Sequence, residues 1–319
     1  MMMKNCLLSA VFLLLLGVAC TSDPNPPDLL PVPTKSEGPY LKVLGIAQDG
    51  GYPHAACEKD CCVPAWGEPS RRKMVSCIAV IDPASGRNWM LDATPDFKDQ
   101  QHLLKAETGQ DLSGIFLTHA HIGHYTGLMQ LGREVIGTDQ VPVYAMPRML
   151  DYLQTNGPWS QLVSLNNIAL QPLHADSSVQ LTPEIRVTPF RVPHRDEYSE
   201  TVGYRIDGPD RSAIFIPDID KWEKWDRSID SLIGTVDHAF LDGTFFQNGE
   251  IVGRDMSEIP HPFIRESMGR FQSAGIDPER VVFIHFNHTN PVMQANSPER
   301  QEVRKAGFSV AEEGEVWPL

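Results

Sequence analysis

The stretch from Thr118 to Gly127, which reads THAHIGHYTG, constrains the fold of this chain more than any other segment. Its three histidines, His119, His121 and His124, lie within six residues. The apolar residues before them predict a strand, and the apolar spacing after them predicts a helix that continues through Val135. An extended backbone points His119 and His121 to the same side, and His124 can turn back toward the same point. Because imidazole is the commonest metal ligand, the stretch predicts a metal site rather than three unrelated histidines.

Five predicted strands end at a residue type that binds metals or transfers protons. The pairs are Leu117 before His119, Val192 before His194, Ile216 before Asp218, Leu241 before Asp242, and Ile284 before His285. A side chain at the end of a strand is held more rigidly than one in a loop. The pattern therefore predicts a preorganised site that several strand ends build together.

The histidine stretch resembles the HxHxDH signature of the metallo-β-lactamase superfamily. From Tyr40 to the C-terminus, the order of segments resembles the branch that contains pyrroloquinoline quinone biosynthesis protein B. The matching segments are GIAQDGGYP, LDATPDF, VGYRI, LDGTF and IHFNHTNP. The resemblance implies an α/β fold, namely a four-layer αβ/βα sandwich with two mixed sheets face to face and helices outside. It also implies a site along the edge where the strand ends gather.

The resemblance implies a set of metal ligands around a shared carboxylate. These are His119, His121 and His194 with Asp218 for a first ion, and His124 and His285 with Asp218 for a second. Asp92 is implied to hydrogen-bond near the ligands, or it is a turn residue. Gly123 stands where the signature has an aspartate that helps to hold the second ion. The first ion is therefore the firmer expectation. His288 is a candidate either for the missing position or for a hydrogen bond to the substrate.

Asp242 and His261 resemble a carboxylate and histidine pair that protonates the leaving group in related phosphodiesterases. A carboxylate that orients an imidazole is suited to general acid catalysis. The alternative is a capping aspartate and an unrelated loop histidine. The resemblance thus implies catalytic roles for Asp218, Asp242 and His261.

Three cysteines lie close together in the segment HxxCxxxCC, at Cys57, Cys61 and Cys62, and His54 begins the segment. Such soft ligands suit a tetrahedral zinc ion. The resembling family carries a cysteine cluster at this place that holds a structural metal. Disulfides persist in exported proteins, so a disulfide is the other interpretation. Cys77 lies in an apolar run and is predicted to be a buried thiol.

The N-terminus predicts export. Residues 1–19 combine a basic start with an apolar run, which indicates a signal peptide. Small residues before Cys20 resemble a bacterial lipoprotein signal, so we expect a lipid anchor at Cys20 and a location at the periplasmic face of the envelope. Ordinary cleavage and release of an exported protein is the alternative. Residues 20–39 contain six prolines and predict an extended tether. Residues 40–319 are predicted to form one domain.

The composition limits the classes of partner. The formal net charge is −14, and no basic stripe follows any motif, which argues against nucleic acid as a partner. The chain is therefore expected to be a metal-dependent hydrolase with one or two zinc ions. Its expected substrate is a small-molecule ester, lactone, amide or phosphodiester, attacked through a metal-bound water. Histidine and carboxylate ligands also suit iron, so an iron-dependent redox enzyme remains open, as does a non-catalytic ligand carrier.

Overall fold

The computed structural model describes residues 38–257 and 259–319. The predicted signal peptide, Cys20 and the tether up to residue 37 lie outside the described residues. In the part of the chain that is described, no helix has the length and apolar character needed to cross a membrane.

The strands of the described chain form two seven-stranded mixed sheets. In chain order they are β1 (Tyr40–Gly45), β2 (Cys77–Asp82), β3 (Arg87–Leu91), β4 (Gly114–Phe116), β5 (Val141–Ala145), β6 (Ile168–Pro172), β7 (Val179–Gln180), β8 (Arg186–Arg191), β9 (Val202–Asp207), β10 (Ser212–Ile216), β11 (His238–Asp242), β12 (Val281–Ile284), β13 (Ser309–Val310) and β14 (Val316–Pro318). One sheet has the order β14-β1-β2-β3-β4-β5-β6, and the other has the order β13-β12-β11-β10-β9-β8-β7.

Helices accompany both sheets. They are α1 (Val63–Gly67), α2 (Phe97–Thr108), α3 (Ile122–Tyr125), α4 (Pro147–Thr155), α5 (Trp159–Ser164), α6 (Ile229–Ile233), α7 (Ile264–Ser273) and α8 (Pro298–Lys305). With the two sheets, they confirm the predicted four-layer αβ/βα sandwich.

The alternation of side chains along β2 shows why the sheets are buried on both faces. Ile78 and Val80 belong to the large core cluster that also contains buried residues of the second sheet. Cys77 and Ala79 belong to a separate cluster with residues of α2. Successive residues of a strand point to opposite faces, so a strand between a sheet and helices must be apolar throughout.

The topology places strand ends of both sheets at one edge. In the second sheet, β10, β11 and β12 are parallel neighbours, so their carboxyl ends point the same way. In an open α/β sheet, that end is where ligands bind. Across the sandwich, the Tyr204 hydroxyl donates a hydrogen bond to the Leu117 carbonyl, and the Val202 amide donates to the Thr118 carbonyl at 3.1 Å. These bonds fix the histidine stretch against the second sheet.

The predicted helix through Val135 is wrong. Only α3 is α-helical, and a 3-10 helix covers Thr126–Leu131 before Gly132. The Gly127 amide donates to the Ala93 carbonyl at 2.9 Å, which takes it out of the α-helical hydrogen-bond ladder. A Cβ atom at Gly127 would lie 2.2 Å from the Thr94 carbonyl oxygen, so close backbone packing sets this local structure.

Candidate metal centre and active site

The carboxylate of Asp218 forms the centre of the candidate site. Asp218 follows β10 and is only 2% exposed. Ring nitrogens of six histidines lie within 4.0 Å of its oxygens. The nearest distances are 3.2 Å from His261, 3.3 Å from His119 and His194, 3.6 Å from His124, 3.8 Å from His285, and 4.0 Å from His121. The structure thus brings the five histidines predicted as metal ligands, together with His261, to one carboxylate.

A first group of donors is formed by His119, His121, His194 and Asp218, whose candidate ligand atoms lie within 4.8 Å of one another. The Nδ1 atom of His119 lies 3.0 Å from the Thr118 hydroxyl, which leaves Nε2 facing Asp218. The Nε2 atom of His121 lies 3.3 Å from a carboxylate oxygen of Glu197, which leaves Nδ1 facing inward. Such outer partners fix the tautomer and the ring orientation of a metal ligand.

A second group is formed by Asp49, His124, Asp218 and His285. The Nδ1 atom of His124 lies 2.7 Å from a carboxylate oxygen of Asp92, which gives this aspartate a place beside the ligands. The Nδ1 atom of His285 lies 3.0 Å from the Thr244 hydroxyl. In both rings Nε2 is left for an ion, and Asp218 is shared with the first group.

Asp49 occupies the position that the missing signature aspartate would otherwise fill. Its Oδ1 atom lies 3.2 Å from Nε2 of His124 and 4.0 Å from Nε2 of His285. A Cβ atom at Gly123 would lie 2.1 Å from Oδ1 of Asp49 and 2.7 Å from its Cα atom. The glycine is therefore needed to admit Asp49. The prediction that His288 fills this position is wrong, because His288 belongs to the cysteine group described below.

The sequence analysis did not predict Asp49, which two glycines follow directly in the segment QDGG. A usable signal was present, since Asp49 follows the apolar strand β1 as the other candidate ligands follow their strands. The fourth member of the cysteine group was missed as well, because it lies more than two hundred residues away along the chain.

Asp242 and His261 form a hydrogen-bonded pair beside Asp218. The Nδ1 atom of His261 lies 2.8 Å from Oδ2 of Asp242 and 3.2 Å from Oδ1 of Asp218. Asp242 is held in turn by the amides of Thr244 and Ile219, at 2.8 and 3.2 Å. Burial acts to lower the pKa of His261, but the two carboxylates outweigh it and raise the pKa to about 9. This imidazole is therefore protonated at neutral pH.

Buried atoms without partners show that the two groups fit a cation. Among the described residues, Nε2 of His124, His194 and His285 and Oδ1 of Asp49 and Asp218 make no hydrogen bond of acceptable geometry, although several of these atoms lie within 4.0 Å of an oppositely charged group. A buried polar atom without a partner is costly, and these five converge on one place. Neutral imidazoles and carboxylates are ligands that zinc accepts.

The protonation states of the ligands agree with this fit. Burial lowers the pKa of His119 and His285, and it lowers the pKa of His194 to about 4, which favours the neutral imidazole that a metal ligand needs. Burial opposes ionisation of Asp218, but the histidines around it hold its pKa well below the ordinary value. For His124, Asp92 and Asp49 outweigh burial and raise the pKa. A cation at Nε2 would take the place of that proton.

Two residues of the site have left-handed backbone conformations although they are not glycine. The φ angles are 74° at Asp92 and 66° at His285, each at the first position after a strand. Such conformations are uncommon for residues with a side chain and concentrate at functional sites. At both residues, this conformation turns the backbone so that the side chain points into the site immediately after the strand ends.

The three clustered cysteines meet His288 instead of His54. Cys57, Cys61, Cys62 and His288, here called the thiol cluster, present donor atoms within 4.8 Å of one another. The Sγ atoms of Cys57 and Cys61 are 3.7 Å apart, well beyond the bond length of about 2.05 Å of a disulfide. All cysteines of the described chain are free thiols. The ring of His54 packs against His288 at 4.3 Å between centroids, so His54 is a neighbour of the cluster.

The fold and the site define the family. Residues 87–286 match the beta-lactamase superfamily domain, which is more than half of the chain. The chain belongs to the metallo-β-lactamase superfamily.

The chain is similar over most of its length to proteins named coenzyme PQQ synthesis protein B. It is 28% identical over 301 residues to coenzyme PQQ synthesis protein B of Methylobacterium radiotolerans, which covers 85% of this chain and 97% of that protein. Its fold is similar to that of Zn²⁺-bound PqqB from Methylobacterium extorquens, with a TM-score of 0.74 and 23% identity over 88% of this chain and 100% of that chain. It is also similar to a diphosphatase of the PhnP family, with a TM-score of 0.61 and 21% identity over 87% and 96% of the two chains.

Variants that move the carboxylate from position 49 to position 123 test whether Asp49 is a ligand of the second group. We expect Gly123→Asp to lose the second ion, because its Cβ atom would displace Asp49. The double variant Asp49→Gly with Gly123→Asp returns the carboxylate to the signature position and should recover that ion. Zinc per folded chain, measured by mass spectrometry of the metal, follows both changes. A Gly123→Asp variant that binds as much zinc as the wild type would contradict this account of Asp49.

A half-buried carboxyl group, Glu250, lies between β11 and His261. Glu250 accepts hydrogen bonds from the Thr289 hydroxyl and the Phe246 amide. Phe245, Met256, Ile259 and Phe263 form a small core of this segment. Burial raises the pKa of Glu250 from 4.5 to about 7. An acid whose pKa is raised by folding stabilises the fold below its unfolded pKa, and this stabilisation is lost as pH rises through about 7.

We expect Glu250→Gln to gain stability over the wild type as pH rises. Between pH 5 and pH 8 the difference in unfolding free energy should grow by roughly 2 kcal/mol in favour of the variant, since one pKa unit is about 1.4 kcal/mol. Urea unfolding at a series of pH values, followed by tryptophan fluorescence, measures it. The matched variant Glu134→Gln, at an exposed site, should show no such trend. A pH-independent difference for Glu250→Gln would show that this carboxyl group ionises normally.

Proposed function

We propose that this protein is a zinc-dependent hydrolase of a small molecule that contains an ester, lactone, amide or phosphodiester bond. The observation that carries the proposal is the arrangement around Asp218. Two groups of donors share this carboxylate, and the Asp242–His261 pair lies against it. The superfamily membership and the fold shared with a diphosphatase agree with hydrolysis as the reaction class.

The ligands divide into an inner set and the groups that orient it. The first group would hold one zinc ion, and Asp49, His124 and His285 with Asp218 would hold a second. Zinc supplies Lewis acidity, which polarises a scissile carbonyl or phosphoryl oxygen and lowers the pKa of water toward neutrality. Asp92, Thr118, Thr244 and Glu197 hold the outer nitrogens of the rings, so that the inner nitrogens stay aligned.

His261 is suited to protonate the leaving group. Its Nδ1 atom donates to Asp242, which leaves Nε2 for the substrate. Asp242 keeps the ring in one orientation and stabilises its positive charge, as its own oxygens are fixed by backbone amides. General acid catalysis of this kind contributes roughly 10²–10⁴ in rate. It matters most when the leaving group is a poor one, such as an alkoxide or an amine.

Variants of His121 and His261 separate the two parts of this mechanism. A panel of aryl and alkyl esters and phosphodiesters is hydrolysed by the zinc-loaded protein, and kcat/KM is measured for each. We expect His121→Ala to abolish turnover of all of them, because a ligand of the first group is removed. We expect His261→Gln to lose roughly 10²–10⁴ in kcat/KM for alkyl leaving groups and little for nitrophenolate, which leaves without a proton.

The exposed His102→Gln variant serves as the matched control and should behave as the wild type. Circular dichroism establishes that each variant is folded. Folded His121→Ala protein that keeps its turnover of the panel would rule out the central site as the catalyst. Equal losses for alkyl and aryl substrates in His261→Gln would rule out its role as the acid.

A second candidate function is iron-dependent redox chemistry. The observation in its favour is the similarity over 85% of the chain to a coenzyme PQQ synthesis protein. Histidine and carboxylate ligands bind iron as well as zinc. Metal analysis of the protein purified from its native host distinguishes the two functions. Bound iron together with substrate-dependent oxygen consumption would favour the redox enzyme, and bound zinc with hydrolysis favours our proposal.

We also propose that the protein acts outside the cytoplasm, held at a membrane through Cys20 and the proline-rich segment that follows it. The support is the sequence of residues 1–39 alone. A small-molecule substrate fits this placement, and the net charge of −14 disfavours nucleic acid. In bacterial cells, Cys20→Ala should shift the protein from the membrane fraction to the soluble fraction. An unchanged distribution would rule out a lipid anchor at this residue.

A further inference from the structure

Two loops supply both the second group of the central site and the thiol cluster. The first loop, residues 46–62, follows β1 and carries Asp49 and the three cysteines. The second loop, residues 285–290, follows β12 and carries His285 and His288. Each loop therefore carries a member of the second group near its start and one or more members of the thiol cluster near its end.

Backbone hydrogen bonds join the two loops between these ends. The Gln48 amide donates to the Phe286 carbonyl, and the Phe286 amide donates to the Ile46 carbonyl, both at 2.8 Å. Asp49 and His285 are direct neighbours of these bonded residues. A shift of one loop against the other would therefore change the separation of Asp49 and His285.

The ring of His54 connects the thiol cluster to Asp49. Its ring packs on His288, and its amide donates to the Sγ atom of Cys62 at 3.4 Å. On its other side the ring lies against Gly50, where a Cβ atom would be 2.4 Å from Cδ2 of His54. Gly50 is the residue after Asp49, so the packing leaves this part of the loop little freedom.

The first group depends on other parts of the chain. His119 and His121 follow β4, and His194 follows β8. The outer hydrogen bonds described for His119 and His121 go to Thr118 and Glu197, which lie outside both loops. A displacement of the loops would therefore move Asp49 and His285 of the second group directly. The histidines of the first group lie outside both loops and would not be moved in this way.

We propose that an ion held by Cys57, Cys61, Cys62 and His288 clamps the two loops together, and that the second group binds its ion tightly only while this clamp is closed. The inference rests on the proposed function, because it requires ions at the central site. The cysteines and His288 are then positioning residues for Asp49 and His285. Coupling of two sites is reciprocal in free energy. Thiolate ligands bind zinc tightly, so the clamp keeps its ion when the second group is empty.

Zinc content of clamp variants tests the proposal. Full-length wild-type protein, loaded with zinc and freed of excess ion, should hold about three ions per chain, one each in the first group, the second group and the thiol cluster. We expect His288→Ala and Cys61→Ala, one on each loop, to retain about one ion, held by the first group. Chelator competition should show the second ion weakened by roughly 10–100-fold, as for other outer partners of metal ligands. Cys77→Ala, at a buried thiol outside the cluster, is the matched control and should retain all three.

Cobalt reports on the two centres separately, because only the thiol cluster gives a thiolate-to-cobalt charge-transfer band. Asp49→Asn should lose one ion and keep this band, whereas His288→Ala should weaken the band and lose two ions. Loss of a single ion in folded His288→Ala and Cys61→Ala would overturn the coupling. A wild type that binds no second central ion would overturn it as well. Zinc only in the thiol cluster would instead show that the proposed function itself has failed.

If the variants do not fold, the coupling between the thiol cluster and the second group can be tested in the wild-type protein. Addition of p-hydroxymercuribenzoate to the zinc-loaded protein displaces the ion of the thiol cluster, and a chromogenic chelator counts the released zinc. Release of two ions at the rate of cluster modification supports the clamp. Release of one ion, with the two central ions retained, overturns it.

Discussion

The carboxylate of Asp218, buried within reach of six imidazoles, is the constraint on which the rest of the structure depends. A buried carboxylate needs a matching positive charge, and burial keeps three of these rings neutral. Asp49, Asp92 and Asp242 add further carboxylates to the same region. A divalent cation bound at Asp218 would supply positive charge to this region. The parallel strands and the bonds between the sheets serve to keep these groups in place.

Much of the site could be predicted from local sequence patterns, because each candidate ligand follows an apolar strand. The spacing of His119, His121 and His124 predicted a cluster of histidines at one place, and the strand ends predicted that Asp218 and His285 join it. Asp49 could not be placed in this way, because its relation to Gly123 exists only after distant segments pack together. His288 could not be placed from the sequence either, because it lies far along the chain from the cysteines and no spacing pattern connects it to them. The predicted helix through Val135 does not form, because the Gly127 amide donates its hydrogen bond to the Ala93 carbonyl of another segment and not to a carbonyl one helical turn earlier.

Membership of the superfamily explains the architecture, and the details of this chain refine it. The similarity to coenzyme PQQ synthesis protein B of Methylobacterium radiotolerans extends over 97% of that protein. The matched part, 85% of this chain, therefore corresponds to nearly the whole of such a relative. Hydrolysis and redox chemistry call for different metals in one set of ligands. The identity of the bound ion is thus a more informative property than the fold.

The exchange between Gly123 and Asp49 has a consequence for how such proteins are recognised. The same coordination position is filled here by a donor encoded seventy-four residues earlier in the chain. A search that requires an aspartate inside the histidine signature would discard this sequence as degenerate, although its donor set is complete in space. Relocated ligands of this kind allow a family to drift in sequence while its coordination chemistry is preserved. Apparent loss of a signature residue is then a reason to look for the glycine that makes room for its substitute.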